Sequence, residues 1–172
     1  MFPEELKALM THMEWADAQV WGAVLALPQT HADPFTRERL YHVHMVQWLY
    51  LQIWRGKTIG IREVSTFKDL SEIQSWGRDY YHRMREHLDS VDNSVLEEKI
   101  EFPWAQHLTE RFGQARPTTF LETVLQVASH STYHRGQVNA RVRELGGEPA
   151  ISDFIVWIWM GRPEPPWPEQ GT

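Results

Sequence analysis

The chain has 172 residues, of which 42% are hydrophobic and 23% are charged, and it contains no cysteine. This length and apolar fraction suit one folded domain and exclude a disordered chain. The net charge of −6 is not that of a protein with a basic nucleic-acid-binding face, so we expect no nucleic-acid partner. Without cysteine, disulfides, thiolate metal sites and a cysteine nucleophile are all excluded.

No stretch of the sequence is apolar over the length that a membrane-spanning helix requires. The longest apolar run covers residues 154–160. The first ten residues, MFPEELKALM, carry acidic side chains where a secretory signal has basic ones. These features predict a cytoplasmic protein with no membrane partner.

Two helices are predicted in the first third of the chain. Apolar residues recur at helical spacing from Pro3 until Pro28, which ends the first helix. Asp33 and Pro34 form the next start signal, an N-cap followed by proline at the first helical position. The second helix continues from there to Gly56, a residue typical of a helix C-terminus.

Two more helices are predicted after capping boxes, in which a Ser or Thr side chain and an acidic residue three positions later cap the helix start. The third helix follows the box at residues 66–69 and reaches about Ser90. The fourth begins at Thr119 and reaches Gly146. Between them, residues 91–117 contain proline and glycine and predict a long connection with room for a short hairpin.

Together these elements predict an all-α fold, a four-helix bundle with a long connection between helices three and four. We expect residues 1–162 to form a single domain that ends with a short aromatic helix at about residues 152–160. Residues 163–172 are rich in proline and predict a poorly ordered C-terminal tail.

Nine histidines are the conspicuous chemical feature, and His130 and His134 lie four positions apart in the fourth predicted helix. Residues at this spacing project from one face with Cβ atoms about 5–6 Å apart, so both rings can reach one metal ion. The stripe that carries them continues to Val127 and Val138, which indicates that the rings face the interior. Inward-facing histidines need partners, and a divalent metal ion is one. The other interpretation is two polar residues on a solvated helix face.

A third ligand has to come from another helix, and the second predicted helix offers His42 and His44. His42 is the better candidate because it shares a stripe with Val46, whereas His44, two positions on, is expected to face solvent or an interface. Three imidazoles would leave open positions on the ion. Imidazole ligands suit zinc, nickel, iron and copper, and of these we favour zinc or nickel. Ser131 follows His130 where a helical zinc protease has its glutamate base, which argues against a peptidase of that type.

Several residues near the histidines have more than one interpretation. Gln137 could hydrogen-bond a metal-bound water or a substrate, or it could join two helices. Glu38 could orient the His42 ring or be solvated. We expect Gly136 to permit close helix packing and Arg135 to pair with a carboxylate at an interface. The remaining histidines have no motif context and are expected at the surface or in loops: His12, His31, His82, His87 and His107.

The segment 130–137, with the sequence HSTYHRGQ, and the earlier His42 in a helix that ends at Gly56 resemble the DinB-like metalloprotein superfamily. The resemblance covers most of the chain, including Trp15-Ala16 in the first helix. This group includes YfiT-type metal-dependent hydrolases and the bacillithiol and mycothiol S-transferases. The resemblance implies a bundle of that type in which His42, His130 and His134 bind a divalent metal ion.

The resemblance also implies a function, and two reactions on a small-molecule substrate remain open. A transferase would bind the thiol of a low-molecular-weight cofactor at the open metal position, whereas a hydrolase would activate water there. The alternative to both is a non-catalytic bundle that binds metal for stability or as a sensor. Nine tryptophans are a surplus of aromatic contact area, and together with the resemblance they imply a homodimer.

Overall fold

The computed structural model describes residues 2–169 and is mostly helical, as the sequence predicts. The helices are α1 (Glu4–Leu25), α2 (Pro34–Trp54), α3 (Leu70–Ser90), α4 (Thr109–Phe112), α5 (Phe120–Glu144) and α6 (Phe154–Trp159). Short 3₁₀ turns cover Pro28–Thr30, Val64–Thr66, Asn93–Glu97 and Ala105–Leu108. The long helices α1, α2, α3 and α5 form the bundle. None of the helices within the described range has the length and apolarity that crossing a membrane requires.

The N-caps show which helix starts the sequence predicts well. The Asp33 side chain caps α2, and Thr119 caps α5 in a complete capping box, as expected. The predicted box at the start of α3 is wrong, because Thr66 closes a 3₁₀ turn and the helix begins four residues later. Asp69 caps α3 by accepting from the Glu72 backbone N–H at 3.0 Å. Asp69, the acidic residue at the end of the predicted box, is therefore itself the N-cap.

Helices α2 and α3 run in the same direction, a feature that the sequence did not indicate. Along α2 from His44 to Gln47, the neighbouring residue of α3 advances from Gly77 to Tyr81. A parallel pair needs a connection that returns along the whole helix, about 31 Å for 21 residues. Residues 55–69 make this return. The bundle therefore has a second long connection besides the predicted one between α3 and α5.

A short strand pair brackets the connection between α3 and α5, instead of forming a hairpin inside it. Strand β1 (Lys99–Ile100) pairs antiparallel with β2 (Thr118–Thr119). The Phe120 N–H continues the pair by donating to the Glu98 carbonyl at 2.9 Å. The strand pair therefore anchors the first residue of α5, the helix that carries two of the candidate ligands.

The C-terminal residues pack against the bundle, so the prediction of a poorly ordered tail is wrong for residues 163–169. The Trp167 indole Nε1 donates to Glu14 Oε1 of α1 at 3.1 Å, and its ring lies 5.9 Å from the Tyr81 ring of α3. Gln74 of α3 donates to the Pro168 carbonyl at 3.1 Å. Trp167 thus lies at the seam between α1 and α3, where its large ring has apolar neighbours. The predicted domain boundaries stay a prediction.

Gly77 permits a close approach between α2 and α3. A Cβ atom at this position would lie 2.4 Å from Cε1 and Nε2 of His44. The His44 ring cannot retreat, because it lies edge to edge with Trp21, with an interplanar angle of 6°, and accepts a hydrogen bond from the indole Nε1 at 2.8 Å. The absence of a side chain at Gly77 is therefore what makes room for His44.

Replacing Gly77 by alanine should lower the free energy of unfolding by about 1–3 kcal/mol, the usual cost of overpacking a core. Gly136→Ala is the matched control, since a Cβ atom there meets nothing within 4 Å. Alanine is favoured over glycine inside a helix by about 0.5–1 kcal/mol, so this control should be at least as stable as the parent. Urea unfolding of the three proteins measures the difference. Equal stability of Gly77→Ala and the parent would contradict the close packing on His44.

Candidate metal centre

Two contacts hold α2 and α5 antiparallel along their length. Near the start of α2, Asp33 Oδ1 accepts from Arg141 Nη2 of α5 at 2.6 Å. Near the end of α2, Trp54 Nε1 donates to Thr123 Oγ1 of α5 at 2.8 Å. The Arg141 hydrogen bonds are the main reason that the pKa of Asp33 is lowered to about 2, so this ion pair stays charged in neutral and mildly acidic solution. His42 lies between these two contacts and faces α5.

The rings of His42, His130 and His134 meet at their Nε2 atoms. His130 Nε2 lies 3.2 Å from His42 Nε2 and 3.1 Å from His134 Nε2. A neutral His130 can form a hydrogen bond through Nε2 with one of these neighbours but not with both. Two nitrogens at about 2.0–2.1 Å from a tetrahedrally coordinated ion lie about 3.3 Å apart, close to both separations. The three side chains therefore fit a common metal ion.

The environment of two of these rings, His130 and His42, lowers their pKa and keeps them unprotonated near neutral pH. Burial, followed by the neighbouring His134 and His42, lowers the pKa of His130 to about 4. Burial, followed by His134 and Arg39, also lowers the pKa of His42. Metal ligation requires the neutral imidazole. Both rings are therefore already in the form that binds a metal ion.

Gln137 sets the orientation of the His134 ring. Its Oε1 lies 2.7 Å from His134 Nδ1, so Nδ1 carries the proton and Nε2 keeps its lone pair for the cluster. Arg39 Nη1 also approaches His134 Nδ1, at 3.4 Å, but it cannot donate to a nitrogen that already carries a proton. The hydrogen bond of Gln137 is therefore made within α5, to a candidate ligand, and not to another helix.

Two other residues near the cluster have plainer roles. Glu38 is exposed, and among residues 2–169 it makes no hydrogen bond with His42, so the interpretation of a solvated glutamate holds. Gly136 is also exposed, and a Cβ atom there would meet nothing within 4 Å. The expectation that Gly136 permits close helix packing is wrong, because it lies on the outer face of α5.

The expectation that His44 faces solvent or an interface is also wrong. His44 lies two positions after His42 and points to the opposite side of α2, which α1 and α3 cover. Its Nδ1–H donates to Gln47 Oε1 at 2.7 Å, and its Nε2 accepts from Trp21 at 2.8 Å. Burial is the main reason that the pKa of His44 is lowered. His44 is therefore a neutral core histidine, and both of its ring nitrogens are occupied.

A buried carboxylate of α1, Asp17, accepts hydrogen bonds from three other helices. Arg135 Nη1 of α5 donates to Oδ1 at 2.8 Å, while Gln47 Nε2 of α2 and Tyr81 OH of α3 donate to Oδ2 at 2.8 and 2.5 Å. Burial acts to raise the pKa of Asp17, but chiefly Arg135 brings it below its ordinary value. Arg135 thus pairs with a carboxylate as predicted, but inside the bundle and not at an interface. In the sequence, the burial of Arg135 is indicated by its position four residues after Ser131, on the inner stripe of the helix.

His12 is a second histidine whose predicted surface position is wrong. It is 5% exposed, and its ring lies 5.0 Å from Phe154 and 5.7 Å from Trp157 of α6. Its Nε2 lies 3.0 Å from the Ser152 carbonyl, so it attaches the C-terminal segment to α1. The aromatic residues of the predicted C-terminal helix could have indicated that this helix covers His12. Of the other histidines without a motif, three are exposed, namely His31, His82 and His107, and His87 is half-buried.

The fold and the site define a class of protein, a four-helix bundle in which three histidines from two antiparallel helices meet at one point. A sequence model of the DinB family matches residues 1–167. The chain therefore belongs to the DinB family, as the resemblance of its histidine motif implied. It is similar to Protein DinB of Bacillus subtilis (strain 168), with 23% identity over 165 residues that cover 87% of this chain and 91% of that protein.

The low pKa of His130 predicts how the stability of the metal-free protein depends on pH. In the unfolded chain this ring takes up a proton near its ordinary pKa of 6.5, whereas in the folded protein it does so only near pH 4. Between these values the unfolded state binds more protons, so the free energy of unfolding falls as the pH is lowered from 6.5 to 4. In His130→Ala this decrease should be smaller, because one of the responsible groups is absent.

Thermal unfolding of the metal-free protein over this pH range measures the effect. His107→Ala removes an exposed histidine outside the cluster and serves as the control, with the slope of the parent expected. The prediction is wrong if His130→Ala loses as much stability on acidification as the parent does.

Proposed function

We propose that the protein binds one divalent metal ion, zinc or nickel, through His42, His130 and His134, and that it catalyses a reaction of a small molecule there. The convergence of three Nε2 atoms supports this proposal most directly. Within residues 2–169 no fourth His, Asp or Glu joins the group, so positions on the ion stay open to water, thiol or substrate. Structural zinc sites, in contrast, have four protein ligands.

The favoured reaction is the transfer of a low-molecular-weight thiol to an electrophile. A metal ion with open positions lowers the pKa of a thiol or water bound to it and so supplies a nucleophile at neutral pH. The thiol has to come from outside, because the chain has no cysteine. Its sulfur would form a bond to the electrophilic carbon while the leaving group departs. Hydrolysis of an ester or amide by water is the second reaction that such a site supports.

The chain's own residues prepare the site for either reaction. Gln137 holds the His134 ring in the tautomer that presents an unprotonated Nε2. Partial burial of His130 keeps its ring neutral well below pH 7. Because the Asp33–Arg141 pair aligns α2 with α5, the His42 ring reaches the cluster without a flexible loop. The ligand geometry is therefore in place before any ion or substrate arrives, which is the arrangement that catalysis favours.

Metal content is the first test. Elemental analysis of untagged protein should find about one divalent ion per chain, because three neutral imidazoles form one site. His134→Ala and the double variant His130→Ala/His134→Ala should contain none, whereas His107→Ala should keep the full amount. If the parent takes up no metal even after reloading with zinc or nickel, the histidines are structural and the proposal fails.

Turnover separates the enzyme from the competing function, a bundle that binds metal for stability or sensing. Metal-loaded protein is mixed with bacillithiol or mycothiol and with chlorodinitrobenzene or monochlorobimane. A carbon–sulfur bond replaces the carbon–chlorine bond, chloride leaves and the thiol proton passes to solvent. We expect a rate above that of His134→Ala. Full metal content in a parent that is no faster than this variant would favour the non-catalytic function or hydrolysis, and ester substrates would then decide between those two.

We also propose that the protein is a homodimer joined through an apolar face of α5 and α6. The side chains that we assign to this face are large and exposed: Leu125 and Tyr133 of α5, Phe154, Ile155 and Trp159 of α6, and Met160 directly after α6. Leu125, Tyr133 and Phe154 line one groove, so the two helices contribute to a continuous surface. Exposed apolar patches of this kind mark interaction sites. A cytoplasmic location remains part of the same proposal.

Sedimentation should therefore give twice the chain mass of 20.3 kDa. Trp159→Glu places a charge on the most exposed side chain of the face, which is 76% exposed, and should give the mass of one chain. Phe112→Glu changes a side chain that is 69% exposed on α4, outside the face, and should leave the dimer intact. A parent that sediments as one chain at micromolar concentration would contradict the dimer.

A further inference from the structure

Arg39 of α2 is a cation without a counter-ion at the edge of the three-histidine cluster. Its Nη1 lies 3.4 Å from His134 Nδ1, and its Nε is buried without a hydrogen-bond partner. Across residues 2–169, no carboxylate lies within ion-pair distance of this side chain, although the chain carries a net charge of −6. A partly buried charge costs free energy unless it is paired. The site therefore holds an unsatisfied positive charge.

Within residues 2–169, the donors of Arg39 meet no acceptor that has a free lone pair. His134 Nδ1 donates its proton to Gln137 and so offers Arg39 no lone pair. The guanidinium also lies over the Phe35 ring, with Cζ 5.2 Å from the ring centroid, which limits its movement. A guanidinium held in this way presents a planar set of donors that matches a carboxylate through two parallel hydrogen bonds.

The position of Arg39 defines where the anionic group of a ligand would lie. Arg39 approaches the Nδ1 side of the His134 ring, whereas Nε2 on the other side faces His130 at 3.1 Å. One imidazole ring thus separates the guanidinium from the point where the three Nε2 atoms meet. A molecule that reaches both places must carry its anionic group a few bonds from the atom at the open metal position.

We propose that Arg39 is a specificity-determining residue that binds a carboxylate of the small molecule acted on at this site. The inference rests on the proposed metal site, which supplies the second point of attachment. Three neutral imidazoles, a divalent ion and a guanidinium with no carboxylate among them form a positively charged site. Such a site selects anionic molecules over neutral ones of the same size.

The selectivity is tested with two thiols that differ in a carboxylate, 3-mercaptopropionate and 2-mercaptoethanol. On the metal-loaded protein, calorimetry should give the first at least about tenfold tighter binding, as expected for hydrogen bonds to a charged group. Arg39→Gln should remove this preference without changing the metal content. Arg143→Gln removes an exposed cation elsewhere on α5 and should retain the preference. An unchanged preference in Arg39→Gln would overturn the inference.

A second measurement follows Arg39 without any metal, so that the two proposals can fail separately. The Nε–H signal of Arg39 in proton–nitrogen correlation spectra is assigned by its loss in Arg39→Gln. In metal-free protein it should shift when propionate is added and stay in place when propanol is added. If the protein takes up no metal but the Arg39 signal shifts with propionate, the metal proposal fails and the carboxylate site at Arg39 is supported. Full metal content with no shift and no preference for the carboxylate would overturn this inference alone.

Discussion

The bundle depends on the buried Asp17 carboxylate, which connects all four long helices. Placing a charge in the interior costs several kcal/mol unless hydrogen bonds and an opposite charge compensate for it. At Asp17 the compensation comes from three directions, since Arg135, Gln47 and Tyr81 lie on α5, α2 and α3. A helix that slides or rotates would break a hydrogen bond to this buried charge. The network therefore fixes the relative positions of helices whose apolar contacts alone tolerate adjustment.

The candidate metal centre follows from that constraint. Arg135 has to face Asp17, and the neighbouring His134 is thereby turned toward α2, where His42 meets it. Gln47 adds a link from the same network to Ser131, the residue after His130. The outer edge of the α2–α5 interface holds the cluster, while the inner part is occupied by structural hydrogen bonds. The ligand rings are therefore positioned by the core and not by loops.

The division of roles on α2 explains why two histidines so close in sequence differ so much. His42 and His44 lie on opposite sides of one helix, and each side is covered by a different neighbour. His42 meets α5 and remains half-exposed, so an ion or substrate can reach it. His44 lies beside Trp21 and above Gly77, in a place that no ligand can enter. The imidazole of His42 is therefore accessible to a ligand on one side of α2, whereas the imidazole of His44 is a packed core group on the other side.

The sequence by itself determined the helices, most of their caps and the pair His130 and His134, because N-caps and the spacing of four depend only on residues a few positions apart. Family resemblance extended this to His42. Only the tertiary structure decided the direction of α3, the burial of His44 and the unpaired state of Arg39. The direction of α3 depends on how far residues 55–69 return along α2. The states of His44 and Arg39 depend on which face of α2 is covered and by what, and one helix's own periodicity does not contain that information.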